Sequence, residues 1–478
     1  MKRGHHLRLL RGRGTGFGRM NDESQLIYFG DHEVWGPPGV PIAITNEDRR
    51  RHLYIIGRPG AGKSRLMENL FLQDVYAGRG AAFIDPHGTS AKRILDHIPS
   101  YRTRDVVYFR PADIERPLGI NIFKDVDPDH VHLVVQGFVG AFKSLWRDSW
   151  GPRMERILYN AVAALLEQRT ATLLGVLRLL VDDPYRKRVV LNITDPVIRA
   201  YWEFEYPDIR EQLKQESISP IQNKVERFLS NFVMRNIFGQ KENDIDFFDL
   251  MNSKKIFIAN LSSGEIGDMN CNFAGSLILT QFYLAALKRI TLPEEEWTLY
   301  PLYVDEIHSF ATASFGDILA ETRKFGLSLC AAHQLLAQLD EVDKRLRGAV
   351  LASGTLIAFR VGGEDADVLR KEFTPWPAQT LVDLDNYVAL IKPLRHGKVM
   401  EPFQIQTYDA PPHIKLQDGR SKSVTNYSRD NYGTPRAEVE AEILRWMEGM
   451  GQKASEATLK RIAGTIAPKK TAPRRNRG

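Results

Sequence analysis

The chain has 478 residues, with 65 Lys and Arg against 59 Asp and Glu and a formal net charge of +6. That length has room for two or three domains, each burying its own core. No apolar run is long enough to span a bilayer, so no membrane helix is encoded, and the basic N-terminus is not expected to act as a secretory signal.

The charge is unevenly placed. Residues 1–19 carry six Lys or Arg and no acid, and residues 460–478 carry seven and no acid, which leaves the body between them at −7. Such arms read either as contacts for an anionic polymer such as DNA or as solubilising termini. The two cysteines, Cys271 and Cys330, lie far apart in apolar segments. They predict a reducing cytosol and no disulfide framework, and no Cys/His cluster has zinc-ligand spacing.

Residues 25–45 alternate apolar and polar positions around Gly36-Pro37-Pro38-Gly39 and predict short strands. Leu53-Tyr54-Ile55-Ile56 predicts a buried strand, and Arg65–Tyr76 a helix. Between them stands Gly57-Arg58-Pro59-Gly60-Ala61-Gly62-Lys63-Ser64, a full match to the phosphate-binding pattern G-x-x-x-x-G-K-[ST]. Its glycines let successive backbone N–H groups turn inward around a polyphosphate, and the helix N-terminus adds its positive dipole end. Lys63 would reach the β- and γ-phosphates, and Ser64 would hold Mg²⁺. ATP is the expected nucleotide.

Further strands are predicted at 80–84, ending in Asp85-Pro86-His87-Gly88, and at Val106–Phe109. From 128 to 251 the rhythm becomes helical: Val131–Leu145, Arg153–Gln168, Thr172–Val181, Pro196–Phe204 and Pro220–Phe238 carry helix-spaced apolar residues. Strands return at Lys255–Leu261, Leu299–Val304, Leu327–Ala332 and Leu356–Val361, with a long helix at Phe273–Arg289. Residues 387–393 and 402–407 read as two more strands, and Arg436–Met450 as an amphipathic helix. The expected fold is α/β, a RecA-like motor with a largely parallel sheet and an all-helical insertion. The expected division is an arm at 1–24, a motor at 25–127 and 252–410, the insertion at 128–251, and an extension with a basic tail at 411–478.

The strand Leu299–Val304 ends in Asp305-Glu306. Asp305 would hold Mg²⁺ beside Ser64, and Glu306 would orient and deprotonate the attacking water, because metal binding and base catalysis need separate carboxylates. Leu329–Ala332 ends in His333-Gln334, which sets an amide at the same sheet edge as a sensor of the γ-phosphate. Arg323 closes the helix after Asp305-Glu306; it is either a finger aimed at a neighbour's ATP or a cation favoured at a helix C-terminus. Trp146, Arg147, Trp150 and Arg153 form an aromatic–basic set that is either base-stacking or helix core.

In family order, Arg51 through Ser64, Phe83–Gly88, Tyr303–Glu306, Glu321–Gly326, His333-Gln334 and Phe359–Asp367 resemble the HerA/FtsK superfamily of DNA-pumping ATPases. Within it the chain is most similar to the coupling proteins of conjugative type IV secretion and their soluble relatives, over roughly residues 40–410. The resemblance implies ATP and Mg²⁺ as cofactors, DNA as partner, and a homo-oligomeric ring, expected to be a hexamer. It implies that Arg323 is a finger acting on the neighbouring subunit, and that Arg51 reaches a nucleotide at a subunit boundary. Asp85 would line the site. Coupling proteins usually carry N-terminal membrane helices and this chain encodes none. A cytoplasmic motor, recruited to an inner-membrane secretion channel by a partner, fits better.

The function expected from these readings is ATP-driven DNA translocation in conjugative transfer, with a relaxase as partner. Two alternatives are a HerA-type translocase working with a nuclease in DNA processing or defence, and an ATPase that handles protein cargo for a secretion or pilus system. A nucleotide-gated scaffold of slow turnover is a third.

Overall fold

The computed structural model describes residues 26–32, 39–124, 126–242, 245–312 and 315–448. Both basic arms lie outside these residues. Eleven strands form one sheet, ordered β2-β1-β13-β10-β9-β3-β8-β7-β4-β6-β5. In chain order they are β1 Leu26–His32, β2 Val40–Thr45, β3 Leu53–Ile56, β4 Ala81–Asp85, β5 Val106–Phe109, β6 Ile256–Asn260, β7 Tyr300–Val304, β8 Leu327–His333, β9 Thr355–Ala358, β10 Val388–Lys392 and β13 Phe403–Thr407. A separate two-stranded ribbon pairs β11 Leu394–Arg395 with β12 Lys398–Val399. From β9 to β5 every pairing in the large sheet is parallel, and from β9 outward to β2 every pairing is antiparallel. The fold is therefore the expected α/β architecture with a mostly parallel sheet.

The parallel strands are buried along their whole length, as strands covered on both faces must be. Alternate residues serve opposite faces. Leu53, Ile55, Ala81, Phe83, Ile256 and Ile258 pack with Leu66, Leu70 and Phe71 of helix α1, Lys63–Tyr76. Tyr54, Ile56, Ala82, Ile84, Phe257 and Ala259 point the other way, into a second cluster.

That second cluster continues without a break into the helices between β5 and β6. Among the described residues this segment holds no strand; its longer helices are α2 Val131–Leu145, α3 Pro152–Leu166, α4 Leu173–Val181 and α5 Glu211–Ser230. Helix α6, Asp268–Lys288, joins them to the sheet. Phe273 of α6 stacks on Phe228 of α5 with centroids 4.2 Å apart, and it meets Phe142 of α2 edge-on at 5.1 Å. Trp146 belongs to this aromatic core, stacked on Phe142 at 5.5 Å, while the Trp150 indole donates to Glu155 at 2.6 Å.

Two expectations about helices need correction. Pro220 does not start its helix: α5 begins at Glu211 and runs through the proline, then breaks at Asn231, whose side chain caps the short helix Phe232–Phe238. The C-terminal extension contains a helix that apolar spacing does not reveal, α7 Ser421–Tyr432. It lies against β5, where the Ser428 hydroxyl accepts from the Tyr108 N–H at 2.8 Å. The amphipathic helix α8, Arg436–Glu448, is present and buries Val439, Ile443 and Met447 in the cluster shared with the insertion.

Candidate functional site

Because β3, β4, β7 and β8 are parallel, their carboxyl ends share one edge of the sheet, the edge where open α/β sheets bind ligands. At those ends stand the P-loop, Asp85, Asp305-Glu306 and Gln334. One edge thus gathers most of the residues that the sequence singles out.

The P-loop runs from buried Gly57 over exposed Arg58, Pro59 and Gly60 to buried Ala61. Gly62 caps α1 at φ 122°, and a Cβ there would come within 3.0 Å of the Phe359 ring and 3.1 Å of Tyr387, so glycine is required. Neighbouring backbone anchors the loop: the Arg58 N–H donates to Arg360 O at 2.8 Å, and the Tyr387 N–H donates to Ala61 O at 2.9 Å. Lys63 is buried and donates to Gly57 O at 2.7 Å and Arg58 O at 3.3 Å. Burial lowers its pKa, and Glu306 and Asp305 partly restore it.

Ser64 Oγ donates to Asp305 Oδ2 at 2.7 Å, and Asp305 Oδ1 accepts the Glu306 N–H at 3.0 Å. Asp305 is buried, which pushes its carboxyl up to about 6; Glu306 and Asp85 push the same way, against Ser64 and Lys63. A hydroxyl and a buried carboxylate, with Glu306 and Asp85 adding negative charge nearby, are an oxygen donor set suited to a hard dication. Among the described residues no cluster of three or more His, Cys, Asp or Glu could hold a metal alone. The Ser64–Asp305 oxygen pair fits Mg²⁺, an ion commonly held by one or two carboxylates together with phosphate oxygens and water.

Glu306 lies at φ 50°, the left-handed region that non-glycine residues seldom enter. Its Oε1 accepts from Gln334 Nε2 at 2.5 Å, so the amide after β8 touches the carboxylate after β7. This sets a carboxylate, an amide, a hydroxyl and a lysine around one end of α1, the arrangement needed to hold a phosphate chain and activate water beside it.

Three expected site residues stand differently. Asp85 is the last residue of β4 and lies near Asp305, but its carboxylate is occupied: Oδ1 accepts from the His87 N–H and Oδ2 from the Ala91 N–H, both at 2.8 Å. It braces the turn into the next helix. Arg51 precedes β3 and Arg323 precedes β8, so both lie at the amino edge of the sheet, opposite the P-loop. They are exposed and line a shared cleft of about 360 Å³ with Leu319, Leu394 and Val399. At about 3.3 Å per residue, the seven residues of β8 put Arg323 roughly 20 Å from Gln334. Neither arginine can reach its own P-loop.

Sequence reading missed the brace behind the site. Arg49 Nη1 and Nη2 each donate to Asp74 of α1 at 2.7 Å, and Tyr303 of β7 donates to the same carboxylate at 2.6 Å. Burial alone would raise the Asp74 carboxyl, but Arg49 and Arg79 hold it at about 2. The network clamps α1, which carries Ser64, to β7, which leads directly into Asp305. The wall beside the loop includes Tyr387, exposed and at φ 65°, whose carbonyl accepts from Thr407 N and Oγ1 at 2.9 and 2.8 Å.

No family model matches the chain. Mobilization protein A of Escherichia coli is 28% identical over 119 residues, 24% of this chain, and the match spans only 21% of that protein. Among solved structures, the bacterial conjugative coupling protein TrwB in its unbound form superposes with a TM-score of 0.57 at 16% identity, covering 87% of this chain and 92% of that one. The plasmid coupling protein TrwB in complex with ADP and Mg²⁺ gives 0.56 at 16% identity, covering 86% and 99%. VirB4 of Thermoanaerobacter pseudethanolicus gives 0.56 at 15% identity, covering 81% and 97%. At these identities the likeness is one of fold. The chain has the RecA-like P-loop fold that these coupling proteins and VirB4 share.

Proposed function

We propose that this chain hydrolyses ATP to move DNA, as a ring of its own copies, in a conjugative transfer system. The observation that carries this reading is the 2.7 Å contact of Ser64 with Asp305, beside Glu306 and Gln334, in a fold shared with conjugative coupling proteins. The match to a mobilization protein points the same way. In this reading residues 25–127 and 252–410 form the motor, 128–251 the insertion, and 411–478 an extension.

The P-loop N–H groups and Lys63 bind the phosphates; Ser64 and Asp305 would hold Mg²⁺, which would supply positive charge beside them. Glu306 takes a proton from the attacking water as oxygen bonds to the γ-phosphorus and the bond to the leaving oxygen breaks. Gln334 fixes that carboxylate and senses the γ-phosphate. Arg323 completes the site of the next subunit, and Arg51 lies beside it. No helix among the described residues is long and apolar enough to cross a membrane. In this reading a partner recruits the ring to an inner-membrane channel.

The test is Mg·ATP hydrolysis with single-stranded DNA, duplex DNA or neither, for the wild type, Lys63→Ala and Glu306→Gln. DNA should raise wild-type turnover, Lys63→Ala should lose ATP binding, and Glu306→Gln should bind ATP with little turnover. Turnover that ignores all DNA in an assembled ring moves the reading to protein cargo. Absence of turnover, with ATP bound, favours a nucleotide-gated scaffold.

A further inference from the structure

We propose that His308 is a positioning residue for Glu306, with its proton fixed on Nδ1 by Gln338. The inference rests on the reading of Glu306 as the base. His308 sits in the short turn Ile307–Ser309 that follows Glu306, and its Nδ1 lies 3.4 Å from Glu306 Oε2. The other carboxylate oxygen, Oε1, is taken by Gln334. Glu306 is therefore approached from two sides, by an amide from β8 and by an imidazole from its own turn.

Which imidazole nitrogen carries the proton follows from the next contact. Gln338, in the helix Leu336–Val342, accepts the Leu335 N–H through its Oε1 at 3.0 Å. That bond fixes the orientation of the amide, so its NH₂ faces His308 Nε2, 3.2 Å away. An NH₂ can only donate, so His308 Nε2 must accept and the ring proton of the neutral tautomer lies on Nδ1. Nδ1–H then points toward Glu306 Oε2. A proton on Nε2 would oppose the Gln338 donor, and burial independently lowers the pKa of His308 against the pull of Glu306 and Glu341. At 3.4 Å the last link is longer than a formed hydrogen bond, and both of its atoms, His308 Nδ1 and Glu306 Oε2, are buried with no other hydrogen-bond partner.

The consequence is a chain of donors, Leu335 to Gln338 to His308 to Glu306, which starts at the N-terminus of the helix after Gln334. Catalytic carboxylates gain from such fixed partners because a small misplacement of a reacting group costs rate without costing affinity.

The experiment compares His308→Leu, His308→Asn and His308→Gln in the full chain, reading kcat and KM for Mg·ATP and thermal unfolding. The Asn amide N–H falls near the place of Nδ1–H, and the Gln amide near that of Nε2. His308→Leu and His308→Gln should lose roughly tenfold or more in kcat, a part of the roughly 10²–10⁴ that general base catalysis supplies, with KM within about twofold. His308→Asn should recover most of the loss. Equal rescue by Gln and Asn, or wild-type kcat in a folded His308→Leu, overturns the proposal. Glu306→Gln measured alongside separates the two readings: if it turns over normally, the base assignment itself has failed and His308 falls with it. If His308→Leu does not fold, the Asn and Gln variants decide.

Discussion

Ser64 and Asp305 are joined by a 2.7 Å hydrogen bond that links the first turn of the P-loop helix to the end of the second strand away from β3. The hydroxyl belongs to the loop Gly57–Ser64 and the carboxylate to the pair Asp305-Glu306, so one contact sets the spacing between them.

Burial of Asp305, which outweighs the opposing hydrogen bond from Ser64, carries a pH signature. The folded-state carboxyl of Asp305 sits at about 6, above its usual value of 3.8, so the folded protein binds the proton more tightly than the unfolded chain. Ionised Asp305 therefore costs stability; the cost is absent below about pH 4, grows as pH rises, and is complete above about pH 6. Asp305→Asn should raise the stability of the nucleotide-free protein at pH 7.5, by at most on the order of 3 kcal/mol. Unfolding followed at pH 4 and 7.5 without Mg²⁺ checks it: the gain should vanish at the lower pH. The same substitution should weaken Mg²⁺-dependent ATP binding. No stabilisation at pH 7.5 would show that Asp305 is not strained in its charged form.

Arg323 and Gln334 flank β8 at opposite ends, so a finger role for Arg323 is available only between subunits. Arg323→Ala should bind ATP but turn over more slowly by roughly 10³–10⁵-fold, the range of arginine fingers. Mixing it with Lys63→Ala creates junctions that pair an intact loop with an intact arginine. Turnover should return in the mixture. Mixed oligomers that form but stay inactive would remove Arg323 from that role.

Asp74 and Arg49 are almost wholly buried, so breaking their pair leaves a charge without a partner. Asp74→Ala should cost about 3–5 kcal/mol, the usual loss when one member of a buried pair is removed. Because the pair clamps α1 to β7, the loss should bring weaker ATP binding even at temperatures where the variant is folded. Urea unfolding and a nucleotide titration read the two effects separately. A change below about 1 kcal/mol would mean that the interior readily accommodates a lone Arg49.

The parts of this edge that are legible in sequence are those encoded by neighbours in the chain. Gly57–Ser64, Asp305-Glu306 and Gln334 each follow an apolar strand, and parallel pairing brings the strand ends together. The Arg49–Asp74–Tyr303 clamp was not legible, because Arg49 and Tyr303 are 254 positions apart and nothing local marks them. Nor was the occupied state of Asp85, since an aspartate after a strand reads alike whether it faces a ligand or braces a turn. Helix α7 escaped because Val424 and Ser428 are its only buried residues, too few to give an apolar period. Apolar spacing marks the helical stretch only from Pro220, whereas α5 begins at Glu211 and holds the proline inside.

The strand order has a consequence for how the protein is made. Strand β3, which leads into the P-loop, pairs only with β8 and β9. The Leu329 N–H that donates to His52 at the start of that strand comes 277 residues later. At a synthesis rate of roughly 5–20 residues per second, β3 leaves the ribosome roughly 15–55 s before either neighbour exists. During that interval Leu53-Tyr54-Ile55-Ile56 is an unpaired apolar strand, and the phosphate loop has nothing to hold its shape. Nucleotide binding is thus among the last properties the nascent chain acquires, and a ribosome-bound chain stalled before residue 327 should retain no ATP.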